Sequence, residues 1–475
     1  MRTRFAPSPT GSPHLGSLHT ALFAWIAARQ SDGKFVVRID DTDAARSRSE
    51  FEQEILDALT YIGIDWDESI DRDGGFGPYR QSERMEIYGD AIDRLKSERF
   101  LYPCFCTKSD LDLQRASARA AGRPYIYDGR CREIDLSEAN ERIQSGEECV
   151  WRFHVDEKRL GESVEFKDLV HGVQVFKTEL IGDFVCIRSD GKPTYMLVSP
   201  LDDALMRISH VIRGSDHLPN TPAQILLLRA LGYEPPEFAH LPLITGKKGK
   251  KLSKRDSLTG LDELRQYLPS AIVNHLVLLG WTHPDAKEIL TINEILDSFS
   301  FDRVSTSSAA HAPARLKFIE REHIVSMSPD ELLSAWEESV YSDGINLDDQ
   351  SEQSVLKILG TVGDEITSLK SITDDVLPLA KEPDEDALRS GFSGMDAAES
   401  LVPINAILGS CGGKWTDLIE GLVATHGKKM VYLPLRIALT GVRHGFEISR
   451  LLSALTVEEV LKRLETAKKV IENAG

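Results

Sequence analysis

Residues that could bind a phosphate group occur near the start of the chain, in the motif Pro13-His-Leu-Gly16. His14 follows a turn rich in proline and glycine and precedes a predicted helix. A histidine there can donate an imidazole N–H to a phosphate oxygen, and Gly16 lets a ligand approach the backbone closely. The free N–H groups and the dipole of the helix favour an anion at the same place. Taken alone, His14 is also consistent with an ordinary turn histidine.

A second motif, Gly246-Lys-Lys-Gly-Lys-Lys-Leu-Ser-Lys-Arg255, contains six basic residues in ten and two glycines. Lysines such as Lys251 and Lys254 are flexible point charges that can follow a triphosphate as its charge is redistributed. A solvated basic loop, or a patch for an RNA backbone, has the same composition. The motif differs from a Walker A loop, because the sequence contains no Gly-x-x-x-x-Gly-Lys-[Ser/Thr] segment.

The elements around the first motif predict a βαβ unit. A short strand begins near Arg4, apolar residues at helical spacing over 18–26 predict a helix, and the apolar run 35–39 predicts a second strand. Open α/β sheets bind ligands beyond the carboxyl ends of their strands. The acidic stretch 40–43 (Asp-Asp-Thr-Asp) follows the second strand, so it is expected near the ligand, although these residues are also good helix N-caps.

Length and composition limit the class of protein. A chain of 475 residues with 41% hydrophobic and 28% charged residues is typical of a globular protein of about two to four domains. No apolar run reaches the length of a membrane span, and no signal peptide is evident. The six cysteines are unevenly spaced and do not indicate a disulfide framework. We therefore expect a protein of the reducing cytoplasm with no membrane partner.

The net charge of −19 argues against a nucleic-acid partner if it is taken as an average. The charge is unevenly distributed, however. Residues 326–424 contain 20 acidic and 5 basic residues, whereas residues 425–475 contain 9 basic and 5 acidic ones. A surface that binds phosphates can therefore lie outside the acidic segment.

Together, Pro13-His-Leu-Gly16 and Lys251-Leu-Ser-Lys-Arg255 resemble the two signature motifs of class I aminoacyl-tRNA synthetases. The segments Phe5-Ala-Pro-Ser-Pro-Thr-Gly11 and Val211-Ile-Arg-Gly-Ser-Asp-His217 are similar to glutamyl-tRNA synthetases of the bacterial type. The resemblance runs from about residue 2 to about residue 325 and continues more faintly to the C-terminus.

This resemblance implies an α/β fold. It comprises a class I Rossmann-like nucleotide-binding domain with an inserted acceptor-binding domain, followed by an all-α C-terminal anticodon-binding region. The expected boundaries are 1–100 for the first half of the catalytic domain, 101–190 for the inserted domain that binds the acceptor end, 191–250 for the second catalytic half, 251–325 for the lysine loop and a stem-contact region, and 326–475 for the helical region. A helical pattern without β alternation from residue 326 onward agrees with the last range.

The resemblance also implies the residues of the active site. Catalysis would use His14, Lys251 and Lys254. ATP would contact Pro7, Gly16, Ser17, Asp216, His217 and Lys254. Glutamate would contact Arg4, Ala6, Ser8, Asp40, Tyr195, Ser199 and Arg213.

Two residues of the glutamate set depart from the family pattern. Asp40 stands where glutamate is usual, which keeps the carboxylate on a shorter side chain, and Ser199 stands where asparagine is usual. Arg213 is retained, and its guanidinium can bind a side-chain carboxylate through two parallel hydrogen bonds. A structural ion pair is the alternative role for Arg213. We expect glutamate rather than glutamine as the amino acid.

A possible zinc site lies in the predicted insertion. The segment Cys104-Phe-Cys106 is followed after 24 residues by Cys131-Arg-Glu133. Some bacterial glutamyl enzymes have a zinc site with this spacing and histidine in the last position. Because zinc also accepts carboxylate oxygen, Cys104, Cys106, Cys131 and Glu133 could hold the ion. Reduced thiols in a loop that folds without metal are the alternative.

The implied activity is ligation of L-glutamate to tRNA-Glu, with ATP, Mg²⁺ and a glutamyl-adenylate intermediate. The resemblance also implies that bound tRNA is needed for activation. We expect a monomer whose tRNA contacts include Lys428, Lys429, Arg436 and Arg443, unless these side chains only cover a solvated helix surface. An enzyme that also glutamylates tRNA-Gln is the main alternative. A nucleotidyltransferase or a tRNA-modifying paralogue would lack the helical C-terminal region, and an RNA-binding module would need neither His14 nor Lys254.

Overall fold

The computed structural model describes residues 1–42, 47–246, 260–410 and 415–474. Internal packing divides the chain into two compact units. The first comprises Met1–Leu261 and Val273–Ala312, and the second comprises Asp262–Ile272 and Pro313–Gly475. The candidate site lies in the first unit.

The first unit begins with the predicted βαβ motif. Strand β1 (Arg2–Phe5) leads through a turn to helix α1 (Leu15–Gln30), which is followed by strand β2 (Lys34–Val37). The two strands pair in parallel along their whole length. Helix α1 buries leucine, alanine and aromatic side chains around most of its circumference. Packing on several sides, rather than one amphipathic face, therefore stabilises this helix.

The elements that follow as far as residue 312 are mixed helices and short strands. In chain order they are α2 (Ser49–Tyr61), α3 (Met85–Ser97), β3 (Leu101–Cys104), α4 (Lys108–Ala120), α5 (Leu136–Gln144), β4 (Val150–Phe153), α6 (Glu157–Leu160), β5 (Ser163–Asp168), β6 (Gly172–Lys177), β7 (Phe184–Ile187), α7 (Tyr195–Leu205), β8 (His210–Gly214), α8 (Thr221–Ala230), β9 (Glu237–Leu241), β10 (Ile244–Thr245), α9 (Leu261–Leu264), α10 (Pro269–Val277), α11 (Ile292–Ser298) and β11 (Ala309–Ala310).

A four-stranded sheet with the order β6-β5-β9-β8 carries Arg213. Strands β8 and β9 are parallel, with Arg213 opposite His240. Strand β5 is parallel to β9, with Asp168 opposite Phe238, and β6 forms an antiparallel hairpin with β5. Since β5 and β6 belong to the segment expected as an insertion, that segment extends the sheet on which Arg213 lies.

The first unit also contains a three-stranded antiparallel sheet of β3, β4 and β7. One apolar core combines side chains from the predicted insertion with side chains from the flanking catalytic segments, including Tyr88, Phe153, Leu197, Leu226 and Phe238. Full burial of such a side chain contributes about 1.5–3 kcal/mol. The predicted insertion and the catalytic halves therefore share a core.

The second unit is helical. Across the described residues 313–410 and 415–474 it contains no strand, which confirms the predicted helical C-terminal region. In the described parts of both units, no helix combines the length and the apolar composition that a membrane span requires. The helices are α12 (Pro313–Val325), α13 (Pro329–Glu337), α14 (Asp349–Val362), α15 (Leu377–Ala380), α16 (Glu385–Phe392), α17 (Ala397–Leu408), α18 (Thr416–His426), α19 (Lys428–Thr440), α20 (Ile448–Ala454) and α21 (Val457–Ala474).

Candidate active site

His14 is the N-cap residue of α1. Its Nδ1 accepts the backbone N–H of Ser17 at 3.1 Å, and the hydroxyl oxygen of Ser17 accepts the backbone N–H of His14 at 2.9 Å. Because Nδ1 accepts a hydrogen bond, the neutral ring carries its proton on Nε2. The cap therefore selects the tautomer in which Nε2 can donate to a phosphate at the start of α1. A Cβ on Gly16 would lie 3.3 Å from the His14 ring, so glycine leaves room beside the imidazole.

The turn before His14 also contacts Gly260, five residues after the lysine motif. The backbone N–H of Gly260 donates to the carbonyl oxygen of Pro13 at 2.9 Å. Lys251 and Lys254 themselves lie outside the described residues. Gly260 has a φ of +82°, a left-handed conformation that glycine adopts without strain. The chain is thus bound at Gly260 to the predicted phosphate-binding turn.

The guanidinium of Arg213 is buried at the end of β8 and held by three side chains. Its Nη1 donates to Tyr195 Oη at 3.0 Å, its Nη2 to Thr221 Oγ1 at 2.8 Å, and its Nε to His240 Nε2 at 3.2 Å. Tyr195 begins α7 and Thr221 begins α8, so one strand end and two helix starts converge on this group. The orientation of the guanidinium is therefore fixed before any ligand binds.

Other residues expected in the pocket lie beside Arg213. His217 Nδ1 lies 3.3 Å from Tyr195 Oη. Burial, followed by the charge of Arg213, lowers the pKa of His217, so the ring is neutral at pH 7. Ser199 is buried four residues after Tyr195, on the same side of α7. Asp216 is exposed next to His217.

Arg4 belongs to a buried chain of alternating charges. Its Nε donates to Asp203 Oδ1 at 3.0 Å. Arg38 donates to the same oxygen at 2.8 Å and, through Nε, to Asp40 Oδ1 at 2.8 Å. Although burial acts to raise it, the charges of Arg4 and Arg38 hold the pKa of Asp203 below its usual value. Each buried charge in this chain has an opposite partner, which offsets the cost of removing it from water.

The carboxylate of Asp40, which is expected to contact glutamate, is already paired. Both of its oxygens accept from Arg38, at 2.8 and 3.4 Å. Burial raises the pKa of Asp40 to about 6, in spite of the charge of Arg38. The backbone N–H of Asp40 donates to the carbonyl of Pro7 at 2.9 Å. This bond joins the segment after β2 to the turn 6–8, whose residues are also expected to contact the substrates.

Several buried polar residues of this site were not predicted from the sequence: Arg38, Asp168, Asp203, Thr221 and His240. Arg38 and Asp203 carried a recognisable signal, because a charged residue inside an apolar element must find a buried partner. His240 carried none, since strand pairing rather than sequence proximity brings it to Arg213.

The three cysteines of the expected zinc site lie together. Among the described residues, the Sγ atoms of Cys104, Cys106 and Cys131 form a group within 4.8 Å of one another. The hydroxyl of Tyr127 lies 3.3 Å from the sulfurs of Cys104 and Cys106. Glu133 is exposed and does not belong to this group. A hydrogen bond from Cys131 lowers the pKa of Cys104, although burial acts to raise it.

The basic residues expected to contact tRNA fall into two classes. Lys428 and Lys429 are exposed at the start of α19. Arg436 instead donates to the carbonyl of Phe446 at 2.8 Å, and Arg443 donates to backbone carbonyls in the segment 391–393. The two arginines therefore have structural partners inside the helical unit.

Two family descriptions match the chain. Residues 1–318 match the class I tRNA synthetase catalytic domain for glutamate and glutamine, and residues 330–468 match an anticodon binding domain. A glutamate–tRNA ligase of Aquifex aeolicus is 37% identical over 477 residues, which cover 98% of each chain. A glutamate–tRNA ligase of Carboxydothermus hydrogenoformans is 37% identical over 479 residues, which cover 98% of this chain and 99% of the relative.

Solved structures match over the full length as well. A glutamate tRNA ligase from Elizabethkingia meningosepticum, solved with its amino acid, is 31% identical with a TM-score of 0.79 and 100% coverage of both chains. Glutamate-tRNA synthetase from Elizabethkingia anophelis is 30% identical with a TM-score of 0.77 and 99% coverage of both chains. These matches confirm the predicted fold class, with an α/β catalytic region and a helical anticodon-binding region. The chain belongs to the class I aminoacyl-tRNA synthetases that act with glutamate or glutamine.

Proposed function

We propose that this chain ligates L-glutamate to the 3′ end of tRNA-Glu, with ATP as the energy source and a glutamyl-adenylate as the intermediate. The observation that carries the proposal is the buried guanidinium of Arg213, fixed by Tyr195, Thr221 and His240. A fixed guanidinium presents parallel donors that match a carboxylate. The relatives named glutamate–tRNA ligase support the same amino acid.

In the first step, an oxygen of the glutamate α-carboxylate attacks the α-phosphorus of ATP. The bond to the bridging oxygen breaks, and pyrophosphate leaves. His14 donates from Nε2 to an α-phosphate oxygen, and the N-terminus of α1 stabilises the same negative charge. ATP reacts as its magnesium complex, and Lys251 and Lys254 neutralise the leaving pyrophosphate. Catalysis of this kind consists mainly of positioning and charge stabilisation.

The remaining expected contacts divide between the two substrates. For ATP they are Pro7 in the turn before α1, Gly16 and Ser17 in the first turn of α1, and Asp216 and His217 after β8. For glutamate, Arg213 binds the side-chain carboxylate, and Asp40, oriented by Arg38, binds the α-amino group, with Arg4, Ala6, Ser8, Tyr195 and Ser199 completing the pocket. In the second step, the terminal ribose hydroxyl of tRNA attacks the acyl carbon and AMP leaves.

The test is ATP–pyrophosphate exchange on the purified protein. Glutamate and glutamine are compared, each alone and with tRNA-Glu or tRNA-Gln. The proposal expects exchange with glutamate and tRNA-Glu together, and much weaker exchange with glutamine. Exchange with tRNA-Gln as well indicates the relaxed-specificity alternative, and absence of exchange under every condition rejects the ligase assignment.

The cysteine group supplies three of the four ligands that a structural zinc ion usually takes, and we propose that it holds one. Cys104, Cys106 and Cys131 supply three sulfur donors close enough for one ion, and the hydroxyl of Tyr127 lies beside two of them. Zinc in such a site would tie β3 to the segment around Cys131. We expect about one zinc per chain by atomic absorption. Cys131→Ser should lose the metal, whereas Cys149→Ser should retain it.

The C-terminal helical unit would bind the anticodon arm, as its match to an anticodon binding domain supports. Lys428 and Lys429 are its exposed candidates for phosphate contacts. A cytoplasmic location and a monomeric state remain predictions from the sequence. Sedimentation of the purified protein with and without tRNA tests the second of these.

A further inference from the structure

Two buried side chains outside the expected site form a hydrogen-bonded chain that ends on Arg213. His240 lies in β9 opposite Arg213, and Asp168 is the last residue of β5, on the other side of β9. His240 Nδ1 lies 2.6 Å from Asp168 Oδ2, and its Nε2 accepts the Nε–H of Arg213 at 3.2 Å. The exposed fraction is 0% for His240 and 1% for Asp168. The proposed reaction steps use neither residue.

The hydrogen-bond directions in this chain are determined by chemistry. The Nε of an arginine always carries a hydrogen, so it can only donate. His240 Nε2 must therefore accept, which places the ring proton on Nδ1, directed at Asp168. Burial lowers the pKa of His240 in spite of this hydrogen bond, so the ring stays neutral and Nε2 keeps its lone pair.

The carboxylate of Asp168 is itself held in one orientation. Its Oδ1 accepts the backbone N–H groups of Val170 and His171, at 3.0 and 2.8 Å. Its Oδ2 is thereby left to accept from His240. Rotation of either Asp168 or His240 would break these bonds in a buried environment, where an unpaired polar group is costly.

The same arrangement determines which donors of Arg213 remain for a ligand. His240, Tyr195 and Thr221 each take one N–H, from Nε, Nη1 and Nη2 respectively. A guanidinium has five N–H groups. Among the described residues, these bonds leave one N–H on each terminal nitrogen. Two such donors match the two oxygens of a carboxylate.

We propose that Asp168 and His240 are positioning residues that hold the Arg213 guanidinium in one orientation and thereby favour glutamate over glutamine. This inference rests on the proposed function, in which Arg213 binds the substrate side chain. A carboxylate accepts from both remaining N–H groups, whereas the NH₂ group of a glutamine amide would meet a second donor. If the guanidinium could rotate, it could turn one donor away and accept the amide. Fixing its orientation therefore adds a penalty against glutamine as well as an attraction for glutamate.

Asp168→Asn is the most informative variant. The backbone N–H groups of Val170 and His171 require the amide oxygen at the position of Oδ1, so the amide NH₂ faces His240 Nδ1. The ring proton then moves to Nε2, where it opposes the Nε–H of Arg213. His240→Gln is the second variant, because a single flexible amide does not hold the two hydrogen bonds that the rigid ring makes through Nδ1 and Nε2. His283→Gln is the matched control: it is a buried histidine whose Nδ1 accepts the backbone N–H of Asp285.

The experiment measures kcat and KM for glutamate, glutamine and ATP by pyrophosphate exchange with tRNA-Glu, on full-length enzyme. For Asp168→Asn we expect KM for glutamate to rise by roughly 10-fold to 100-fold, the range for a lost hydrogen bond to a charged group. The ratio of kcat/KM for glutamate to that for glutamine should fall by a similar factor, while KM for ATP is unchanged. His240→Gln should shift the same ratio in the same direction, and His283→Gln should leave it unchanged.

The outcomes separate this inference from the proposed function. Absence of glutamate-dependent exchange in the unsubstituted enzyme overturns both. Exchange in the unsubstituted enzyme, with an unchanged glutamate-to-glutamine ratio in the variants, overturns the positioning role alone, even if kcat falls. Thermal unfolding shows whether each variant is folded. If Asp168→Asn does not fold, His240→Gln decides the question.

Discussion

Arg38 donates from Nε to Asp40 Oδ1 at 2.8 Å, between two side chains that are buried in the catalytic unit. The same arginine also binds Asp203, which in turn accepts from Arg4. Asp40, whose carboxylate binds the substrate amino group in the proposed function, is thus connected through Arg38 and Asp203 to Arg4 of the same predicted pocket. The ionisation of the Asp40 carboxyl group should therefore control substrate binding in a measurable pH range.

The first prediction concerns the pH dependence that Asp40 causes. Because burial raises its pKa to about 6, Asp40 is protonated below that pH and cannot bind an ammonium group. We expect kcat/KM for glutamate to rise as pH increases through about 6. Asp40→Asn should have low activity without this inflection, whereas Asp190→Asn, in an exposed turn, should retain it. An inflection near pH 6 that persists in Asp40→Asn would assign it to another group.

The same pKa shift affects stability with a definite sign. The folded state binds the Asp40 proton more tightly than the unfolded state, whose pKa is near the ordinary value of 3.8. The free energy of unfolding contributed by this group should therefore decrease as pH rises from about 4 to about 6. Urea unfolding across this range should show the decrease, and Asp40→Asn should reduce it.

Local pattern was sufficient to predict the part of the fold that presents His14. The strand, turn and helix are adjacent in sequence, and the apolar periodicity of α1 and the residues of the turn determine where each element begins. The position of His14 at the N-terminus of α1 follows from these local signals alone. The hydrogen bond from Ser17 to Nδ1 was not predicted, because it depends on the side-chain conformation at the cap.

The contacts around Arg213 could not be predicted from the sequence, because they depend on the pairing of strands that are distant in the chain. Arg213, His240 and Asp168 meet because β8, β9 and β5 are neighbours in one sheet, and no spacing in the sequence indicates that order.

The cysteine group could be predicted in part. The spacing of Cys104, Cys106 and Cys131 predicted that they meet. The chain after Cys131 leaves Glu133 exposed, whereas Tyr127, four residues before Cys131, lies beside the sulfurs.

The second prediction separates the two roles of His14, as N-cap and as phosphate donor. Asparagine is a good N-cap residue but has no imidazole N–H. His14→Asn should therefore keep the thermal stability while lowering kcat of pyrophosphate exchange by about 10² to 10³. His14→Ala should lower kcat and also cost about 1 kcal/mol of unfolding free energy, because the cap is lost. Equal stability of the two variants would contradict the capping role.

The third prediction distinguishes tRNA contacts from structural arginines in the helical unit. Lys428→Ala combined with Lys429→Ala should weaken tRNA binding and reduce its dependence on salt, because fewer phosphates are neutralised. Arg443→Met should instead destabilise the protein by about 0.5–1.5 kcal/mol, since backbone carbonyls in the segment 391–393 lose their donor. Filter binding at several salt concentrations and urea unfolding measure the two effects. Lys370→Ala, at an exposed lysine in the acidic segment 326–424, is the control for nonspecific charge loss.

The fourth prediction concerns the lysine motif. Gly260, five residues after this motif, donates to the carbonyl oxygen of Pro13 in the phosphate-binding turn. A lysine that neutralises the leaving pyrophosphate acts on the transition state and not on the amino acid. Lys254→Ala should therefore lower the rate of adenylate formation by about 10² to 10³, while the affinity for glutamate stays nearly unchanged. Single-turnover kinetics and calorimetric titration measure the two quantities.

The matched control for that variant is Lys287→Ala. Lys287 is exposed in the same unit and pairs with Glu294 at 2.9 Å, a surface ion pair that contributes little to stability. This substitution removes the same charge from the catalytic unit, so it corrects for any general weakening of ATP or tRNA binding. A similar rate for Lys254→Ala and Lys287→Ala would exclude Lys254 from the chemistry. A slow step only in Lys254→Ala, together with an unchanged glutamate affinity, would place this lysine on the phosphates rather than in the amino-acid pocket.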